Sequence, residues 1–315
     1  MKTLTRTEAA EWLKSRDRFC ILTHHHPDGD TLGSAAALCR GLRSMGKTAH
    51  ILYDPMVSKK LGFVVKGLTK HSPEEGDALI AVDVAVKGMV HRVCQSMDIS
   101  LKIDHHPSVQ QYALQELVDT DAAACGEIIY DLLMQMGVVP DKATAEALYV
   151  AVSTDTGCFR FANTTAKTLR VAAACAEAGG ELYPINEALF ETNSLKKLQV
   201  HSYITENAEF LMGGTVALCL LPKEVEEGAT ADDMDNIAGF LRAIEGVRLA
   251  VLIRQREDCC RISVRAVPGY DASAVCRHFG GGGHKGASGA NIDLPLTQAG
   301  EAVRQVLPEL YGEKK

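Results

Sequence analysis

The segment Arg18-Phe-Cys-Ile-Leu-Thr-His-His-His-Pro-Asp-Gly-Asp-Thr-Leu-Gly-Ser34 decides the fold. Its apolar run from Arg18 to Thr23 ends in a polar cluster, a pattern typical of a buried strand that feeds a loop. The loop enters an Ala- and Leu-rich stretch from Leu32 to Met45, which Gly46 closes and which we predict to be a helix. Because residues 48–53 are again strand-like, this part of the chain is predicted to be one βαβ unit.

The same alternation continues on both sides of this unit. Apolar runs predict strands at 78–84 and 99–103, and helical periodicity predicts helices at about 8–16, 122–136, 142–153 and 164–178. Asp141 is the expected N-cap of the helix at 142–153. Alternating strands and helices imply an α/β domain with a parallel sheet that is covered on both faces.

A weakly patterned polar stretch that begins at Glu191 separates these elements from a second set. The second set comprises predicted strands at 215–221, 247–255 and 261–267 and predicted helices near 232–244, 271–278 and 297–307. A chain of 315 residues is long enough to bury two cores. We therefore expect a catalytic domain over residues 1–190, a linker over 191–205 and a smaller α/β domain over 206–315.

Composition and charge exclude several classes of protein. Hydrophobic residues make up 46% and charged residues 23%, as in an ordinary folded protein. The formal net charge of −7 provides no positive field that would hold long nucleic acid, so a nucleotide substrate should be short. No apolar run approaches the ~18 residues of a membrane span. The ten cysteines show no Cys-x-x-Cys spacing, which predicts reduced thiols in a cytoplasmic protein.

Acidic and histidine-rich clusters occur at 24–30, 82–83, 104–106 and 153–157, where predicted elements end. Open α/β sheets bind ligands at the ends of their strands. Taken alone, Pro-Asp-Gly-Asp at 27–30 is equally typical of an ordinary turn. Charged groups that follow a buried strand are costly unless something offsets their charge. Repetition of this pattern on successive elements therefore favours one shared site.

Charge balance predicts two divalent cations at that site. Asp28, Asp30, Asp83 and Asp155 carry −4 together, which two such ions would neutralise. Carboxylates mixed with imidazoles suit Mn²⁺ best, with Mg²⁺ as a second choice, while Zn²⁺, Co²⁺ or Fe²⁺ could compete. Two ions about 3.5–4 Å apart activate a shared water and hold the attacking and leaving oxygens at phosphorus. The expected reaction is hydrolysis of a phosphate ester.

These motifs resemble the DHH phosphoesterase family, named for the triplet that stands here as Asp104-His105-His106. The resemblance covers nearly the full length of the chain. The family's N-terminal pattern is matched by His24, Pro27, Asp28, Asp30, Gly33 and Ser34. A later run from Asp155 to Thr165 is also similar. The chain departs from the commonest form at His26, where relatives often carry Asn, and at Ala85, where some carry a second acid.

The resemblance implies a role for each matched residue. One metal would be held by His24 and Asp28, and the other by Asp30, His105 and Asp155. Asp83 would bridge both metals. His106 would face the scissile phosphate, and Asp104 would orient the histidines.

The glycine run Gly280-Gly-Gly-Gly-His-Lys-Gly-Ala-Ser-Gly289 is the second strong signal. Consecutive glycines allow backbone N–H groups to surround an anion, although such a run is also typical of a flexible linker. The run resembles the signature of the DHH-associated C-terminal domain. That similarity implies substrate binding by Gly281, Gly282, Gly283, His284 and Arg265, across a cleft from the metals. Arg160 is a further candidate, either for a phosphate or for an ion pair.

Within the family, the chain resembles the bifunctional oligoribonuclease and 3′-phosphoadenosine 5′-phosphate (PAP) phosphatase branch. This resemblance implies a metal-dependent enzyme that hydrolyses short RNA oligonucleotides to mononucleotides and dephosphorylates PAP. A phosphodiesterase for cyclic di-AMP or its linear dinucleotide is the alternative of similar chemistry. A nucleotide-binding regulator without turnover is the alternative from another class, and intact candidates at all the ligand positions disfavour it. A homodimer is one arrangement that the sequence leaves open.

Overall fold

Seven parallel strands form the sheet of the first unit, Met1–Thr192, in a computed structural model that describes residues 2–107 and 110–312. The strands are β1 (Lys2–Thr3), β2 (Arg18–Leu22), β3 (Thr48–Leu52), β4 (Thr69–Lys70), β5 (Ala78–Val82), β6 (Ile99–Asp104) and β7 (Ala113–Val118). Their order is β1-β7-β6-β5-β2-β3-β4, and every pairing is parallel. The predicted α/β fold with a parallel sheet is confirmed.

Six helices accompany this sheet among the described residues. They are α1 (Arg6–Lys14), α2 (Gly29–Ser44), α3 (Cys125–Gln135), α4 (Lys142–Asp155), α5 (Ala166–Glu177) and α6 (Leu182–Asn186). Asp141 caps α4 as predicted, because its side chain accepts a hydrogen bond from the backbone N–H of Thr144 at 2.8 Å. The apolar residues of β2 and β5 are buried, which places these strands at the centre of the sheet.

Helix α2 begins earlier than the sequence pattern predicts. The expected start was Leu32, but Asp28 is the N-cap and accepts a hydrogen bond from the backbone N–H of Thr31 at 3.1 Å. Asp30 lies in the first helical turn. The two carboxylates therefore belong to a helix N-terminus rather than to a turn that precedes it. Pro, Asp and Gly favour both arrangements, so composition could not separate them.

The second unit, Asn193–Lys315, contains a smaller mixed sheet. Its strands are β8 (Glu209–Leu211), β9 (Val216–Leu221), β10 (Leu249–Gln255), β11 (Cys260–Ala266), β12 (Gly282–Gly283) and β13 (Ala287–Ile292), in the order β12-β13-β11-β10-β9-β8. Only β9 and β10 pair in parallel within the described sheet. Its helices are α7 (Leu195–Asn207), α8 (Lys223–Glu226), α9 (Ile237–Arg242), α10 (Ala272–His278) and α11 (Leu296–Tyr311).

Helix α7 occupies most of the segment where the sequence suggested a linker at 191–205. Ser194 caps the helix by accepting a hydrogen bond from the backbone N–H of Lys197. Val200 and Ile204, one helical turn apart, are buried against residues of the second unit. Because these are the only fully buried positions of the helix, the apolar periodicity was too weak to predict it.

All ten cysteines carry free thiols, and eight of them are buried. None of the helices in the described ranges combines the length and the apolar character needed to cross a bilayer.

Candidate metal centre

The predicted ligands lie at one edge of the parallel sheet, on five elements. His24 follows β2, Asp83 follows β5, and His105 follows Asp104, the last residue of β6. The carboxyl ends of neighbouring parallel strands meet at the same edge, which brings these residues together. The N-terminus of α2 contributes Asp28 and Asp30, and the last residue of α4 is Asp155.

The ligand atoms form three overlapping groups in which all atoms lie within 4.8 Å of one another. The groups are His24–Asp28–Asp83, Asp30–His105–Asp155 and Asp83–His105–His106. The first two groups contain the residues that the resemblance assigns to two metals, and Asp83 belongs to the first and third groups. The structure thus brings all the predicted ligands together.

Asp83 has an unusual backbone and an unsatisfied carboxylate. Its φ is 59°, a strained left-handed conformation for a residue other than glycine, and its N–H donates to the carbonyl of Ile103 at 2.9 Å. Its Oδ1 is buried and accepts no hydrogen bond from the described residues, although it lies 3.4 Å from Nε2 of His105. Burial, reinforced by the negative charge of Asp30, raises the pKa of Asp83 well above its usual range. A cation would satisfy this oxygen.

Asp30 connects the site to a neighbouring helix. Its Oδ2 accepts from the backbone N–H of Cys125 at 2.7 Å, and its Oδ1 accepts from Gly126 N–H and Ser34 Oγ, each at 3.0 Å. Cys125 and Gly126 begin α3, whose N-cap residue is Ala124 and has no side-chain oxygen. Asp30 therefore caps α3 from another helix. The sequence analysis missed this role, and the only signal for it was the lack of a polar N-cap at position 124.

Both imidazoles of the Asp104-His105-His106 triplet are held at their Nδ1 atoms, that of His106 by Asp104 and that of His105 by the backbone of Ala122. Asp104 is fully buried, and its Oδ1 lies 2.8 Å from Nδ1 of His106. The same oxygen accepts from the backbone N–H groups of His105 at 2.8 Å and His106 at 3.2 Å. Nδ1 of His105 lies 3.2 Å from the carbonyl of Ala122. The Nε2 atom of each ring is thereby left for other partners.

The charges of the site fit bound divalent metal. Burial, and then repulsion by Asp155, raises the pKa of Asp30 to about 7. Burial opposes a positive charge on His105, but the surrounding carboxylates, Asp83 first, outweigh it and raise its pKa to about 10. One imidazolium cannot balance these carboxylates, whereas oxygen and imidazole donors are ligands that suit Mn²⁺ and related ions. Metal binding would replace the proton on His105.

The predicted substrate-binding residues of the second unit lie on its hairpins. Arg265 is half-buried in β11, opposite Ala287 of β13. Gly282 and Gly283 form the short strand β12, which pairs with β13. A Cβ on Gly281 would lie 2.3 Å from the carbonyl oxygen of Gly289.

Gly282 and Gly283 of the glycine run therefore form one strand of a pair, a pairing that the sequence did not predict, and anion binding by the run stays a prediction. Close approach of two backbones requires glycine here, a reason that the run itself does not reveal. His284 is exposed, and its backbone N–H donates to the carbonyl of Ala287 at 2.8 Å. Arg160, in the first unit, is exposed and its Nε donates to the carbonyl of Gly157 at 2.6 Å.

Comparison with known proteins agrees with this architecture. The model of the DHH family N-terminal domain matches residues 18–152, and that of the DHHA1 domain matches residues 213–311. The chain is 34% identical to the bifunctional oligoribonuclease and PAP phosphatase NrnA of Thermus thermophilus, over 92% of this chain and 89% of the relative. It is 29% identical to NrnA of Bacillus subtilis, over 91% of this chain and 93% of the relative.

Among solved structures, an exopolyphosphatase-related protein from Bacteroides fragilis superposes with a TM-score of 0.89 at 20% identity, over 96% of each chain. This likeness concerns the fold. The sequence identity over almost the whole chain, together with the matched DHH and DHHA1 domains, establishes the kinship that the triplet suggested. The chain therefore belongs to the DHH family.

Proposed function

We propose that this protein is a metal-dependent phosphoesterase that hydrolyses short oligoribonucleotides to mononucleotides and dephosphorylates PAP. The observation that carries the proposal is the convergence of two ligand groups, His24–Asp28–Asp83 and Asp30–His105–Asp155, at one edge of the sheet. The names of the NrnA relatives from Thermus thermophilus and Bacillus subtilis supply the substrates. Binding alone would not need complete ligand sets, which disfavours a regulator without turnover.

The proposed assignment of the metal ligands follows these groups. His24 and Asp28 would hold one cation, Asp30, His105 and Asp155 would hold the other, and Asp83 would be a ligand common to both. Mn²⁺ is the proposed ion, because the donors are carboxylate oxygens and imidazole nitrogens rather than thiolates. A pair of such ions, when bound, supplies an activated water and electrostatic stabilisation at the phosphorus.

The chain's own residues orient the substrate and the ligands. Asp104 accepts the Nδ1 hydrogen of His106, which directs the Nε2 atom of that ring away from Asp104. His106 is about one third exposed, so when the ring is protonated on both nitrogens this atom can donate a hydrogen bond to a phosphate oxygen. Asp30 is fixed by the α3 amides and by Ser34, and this limits reorganisation during the reaction.

Residues of the second unit are proposed to bind the part of the substrate that does not react. Arg265 is suited to a phosphate, because its guanidinium can donate two parallel hydrogen bonds. The backbone around Gly281, Gly282 and Gly283 and the exposed ring of His284 complete the proposed set, with Arg160 as a further phosphate contact. The ten free thiols support a reducing compartment, and we propose the cytoplasm.

The test is a substrate panel with purified protein in Mn²⁺, with and without a chelator. The panel contains a short RNA oligomer, PAP, cyclic di-AMP, linear dinucleotides and pyrophosphate. We expect turnover of the RNA oligomer and PAP, and its loss with the chelator. Preferential turnover of cyclic di-AMP or its linear dinucleotide would instead favour the alternative specificity. No hydrolysis of any substrate would refute the proposed activity.

A pair of aspartate variants tests the site itself. Asp83→Asn removes a shared ligand and should lower kcat/KM by about 100-fold or more on both substrates. Asp98→Asn is the matched control, because Asp98 is exposed and precedes β6, at the opposite edge of the sheet. The control should retain wild-type activity. Equal activities of the two variants would contradict the proposed metal site.

A further inference from the structure

Lys102 is a cation enclosed behind the metal centre. It lies in β6, two residues before Asp104, and only 1% of its surface is exposed. Of the residues that the structure describes, it is the only lysine or arginine classed as buried. Lysine is almost never fully buried without a partner, because removal of the ammonium group from water is costly. Its contacts therefore indicate what it does.

Three contacts hold the ammonium group of Lys102. Its Nζ lies 3.1 Å from Oδ2 of Asp104 and donates to the carbonyl oxygen of Ala85 at 3.3 Å. It also lies 5.1 Å from the ring centroid of Tyr112, whose hydroxyl donates to the carbonyl oxygen of Val84 at 2.6 Å. Lys102 and Tyr112 thus hold the chain that directly follows Asp83.

The two oxygens of Asp104 have different partners. Oδ2 faces Lys102, whereas Oδ1 accepts from the triplet backbone and from Nδ1 of His106. A carboxylate held at one oxygen by a cation cannot rotate freely, so its other oxygen stays directed at the imidazole. Burial opposes a negative charge on Asp104, but the hydrogen bond from His106, followed by the charges of His106 and Lys102, outweighs it and lowers the pKa of Asp104.

We infer that Lys102 is a positioning residue, which acts through Asp104 to fix the orientation and tautomer of His106. In the part of the chain that the structure describes, the polar and ring contacts found for the Lys102 ammonium group involve Asp104, Ala85 and Tyr112, none of which is a proposed metal ligand. It connects the Asp83 turn, through Ala85, with the triplet, through Asp104. The inference rests on the proposed function only where activity is measured, because the state of the His106 ring can be observed without a substrate.

Three variants test this role. Lys102→Met keeps the length and removes the charge, and Lys102→Arg keeps the charge. Lys102→Met combined with Asp104→Asn removes both charges and so avoids an unpaired buried carboxylate. For Lys102→Met we expect kcat to fall about 10- to 100-fold, with little change in KM or in the number of Mn²⁺ ions bound. Lys102→Arg should recover part of this loss.

The double variant separates positioning from packing. If Lys102 acts through Asp104, the double variant should have the same kcat as Asp104→Asn alone. Once the Asp104 carboxylate is absent, replacement of Lys102 should have no further effect on His106. Additive losses would overturn the inference, as would a wild-type kcat for Lys102→Met. The double variant contains no unpaired buried charge, and in Asp104→Asn the ammonium group of Lys102 keeps the carbonyl oxygen of Ala85 as a partner, so this comparison does not require Lys102→Met to fold.

The measurement that needs no turnover is the ¹⁵N NMR spectrum of the His106 ring in metal-free protein. In the wild type we expect the hydrogen on Nδ1, held by Asp104. In Lys102→Met, or in the double variant, we expect a mixture of the two tautomers. An unchanged ring spectrum in both would overturn the inference. That result is distinct from a failure of the proposed function, in which the wild-type ring is held as expected but none of the substrates is hydrolysed.

Discussion

Glu226 in the second unit carries a charge in a largely buried environment, where an unpaired charge would be destabilising. Its side chain is 11% exposed and accepts two hydrogen bonds from Arg254, each at 2.7 Å, and one from Arg256 at 2.8 Å. Burial opposes the charge on Glu226, but these hydrogen bonds outweigh it, so its pKa is lowered. The ion pair between Glu226 and Arg254 joins α8 to the end of β10.

Glu226→Gln should lower the free energy of unfolding by about 2 kcal/mol at neutral pH, since it removes charge-assisted hydrogen bonds. A lowered pKa in the folded state contributes stability that is complete above the ordinary value of 4.5 and is lost as the pH falls through the folded value. The difference between wild type and variant should therefore shrink in acid. Urea denaturation followed by circular dichroism measures it, because the one tryptophan, Trp12, lies in the first unit.

Glu245→Gln is the control for this experiment. Glu245 is exposed, and its replacement should change stability by less than about 0.5 kcal/mol. The ion-pair account would be wrong if Glu226→Gln lost the same stability at every pH, since the loss would then arise from packing rather than from charge.

At the scale of elements, close packing of α2 against α4 positions the ligands that these helices carry. A Cβ on Gly33 would lie 2.4 Å from the carbonyl oxygen of Ala147 and 2.7 Å from the backbone nitrogen of Ala151. Both are backbone atoms of α4, so the contact cannot be relieved by a side-chain rotation. The glycine of the N-terminal motif is thus required for helix packing.

Gly33→Ala should destabilise the first unit by about 1–3 kcal/mol through overpacking. Because α2 carries Asp30 and α4 carries Asp155, separation of the helices should also weaken Mn²⁺ binding. Thermal denaturation and isothermal titration with Mn²⁺ test the two effects. Gly62→Ala is the control, since a Cβ there meets nothing closer than 3.7 Å. Equal stability and equal Mn²⁺ affinity in the two variants would show that the close contact is unimportant.

The sequence predicted the strands and helices whose apolar pattern can be recognised within a short segment of the chain. β2, β5 and β6 are continuous buried runs, and α3, α4 and α5 have regular periodicity, so their positions agree with the structure to within a few residues. Two-residue strands such as β4 and β12 are too short to show such a pattern, and they are strands only because they pair with β3 and β13. Glycines also lack the β-propensity that would have marked β12.

The residues of the candidate site could be predicted where they lie in short motifs at the ends of predicted strands and helices. His24, Asp83 and Asp104 are found where the predicted strands end, and the structure brings them together. What the sequence could not give was contact between distant segments. The capping of α3 by Asp30 joins residues 95 positions apart, and the enclosure of Lys102 depends on Tyr112 and on the turn after β5.

At the scale of the whole molecule, each unit has its own apolar core. One large cluster extends from Leu4 to Ile185 in the first unit, and the clusters of the second unit begin at Val200. The net charge of the chain is −7, and the carboxylates of the proposed site would be balanced by bound cations. We propose that two divalent cations share Asp83.

The most direct test is a crystal structure of the protein with Mn²⁺, using the anomalous scattering of manganese to locate the ions. We expect two peaks about 3.5–4 Å apart. Both should contact Asp83, one together with His24 and Asp28, and the other together with Asp30, His105 and Asp155. A single peak, or peaks that do not involve Asp83, would contradict the account.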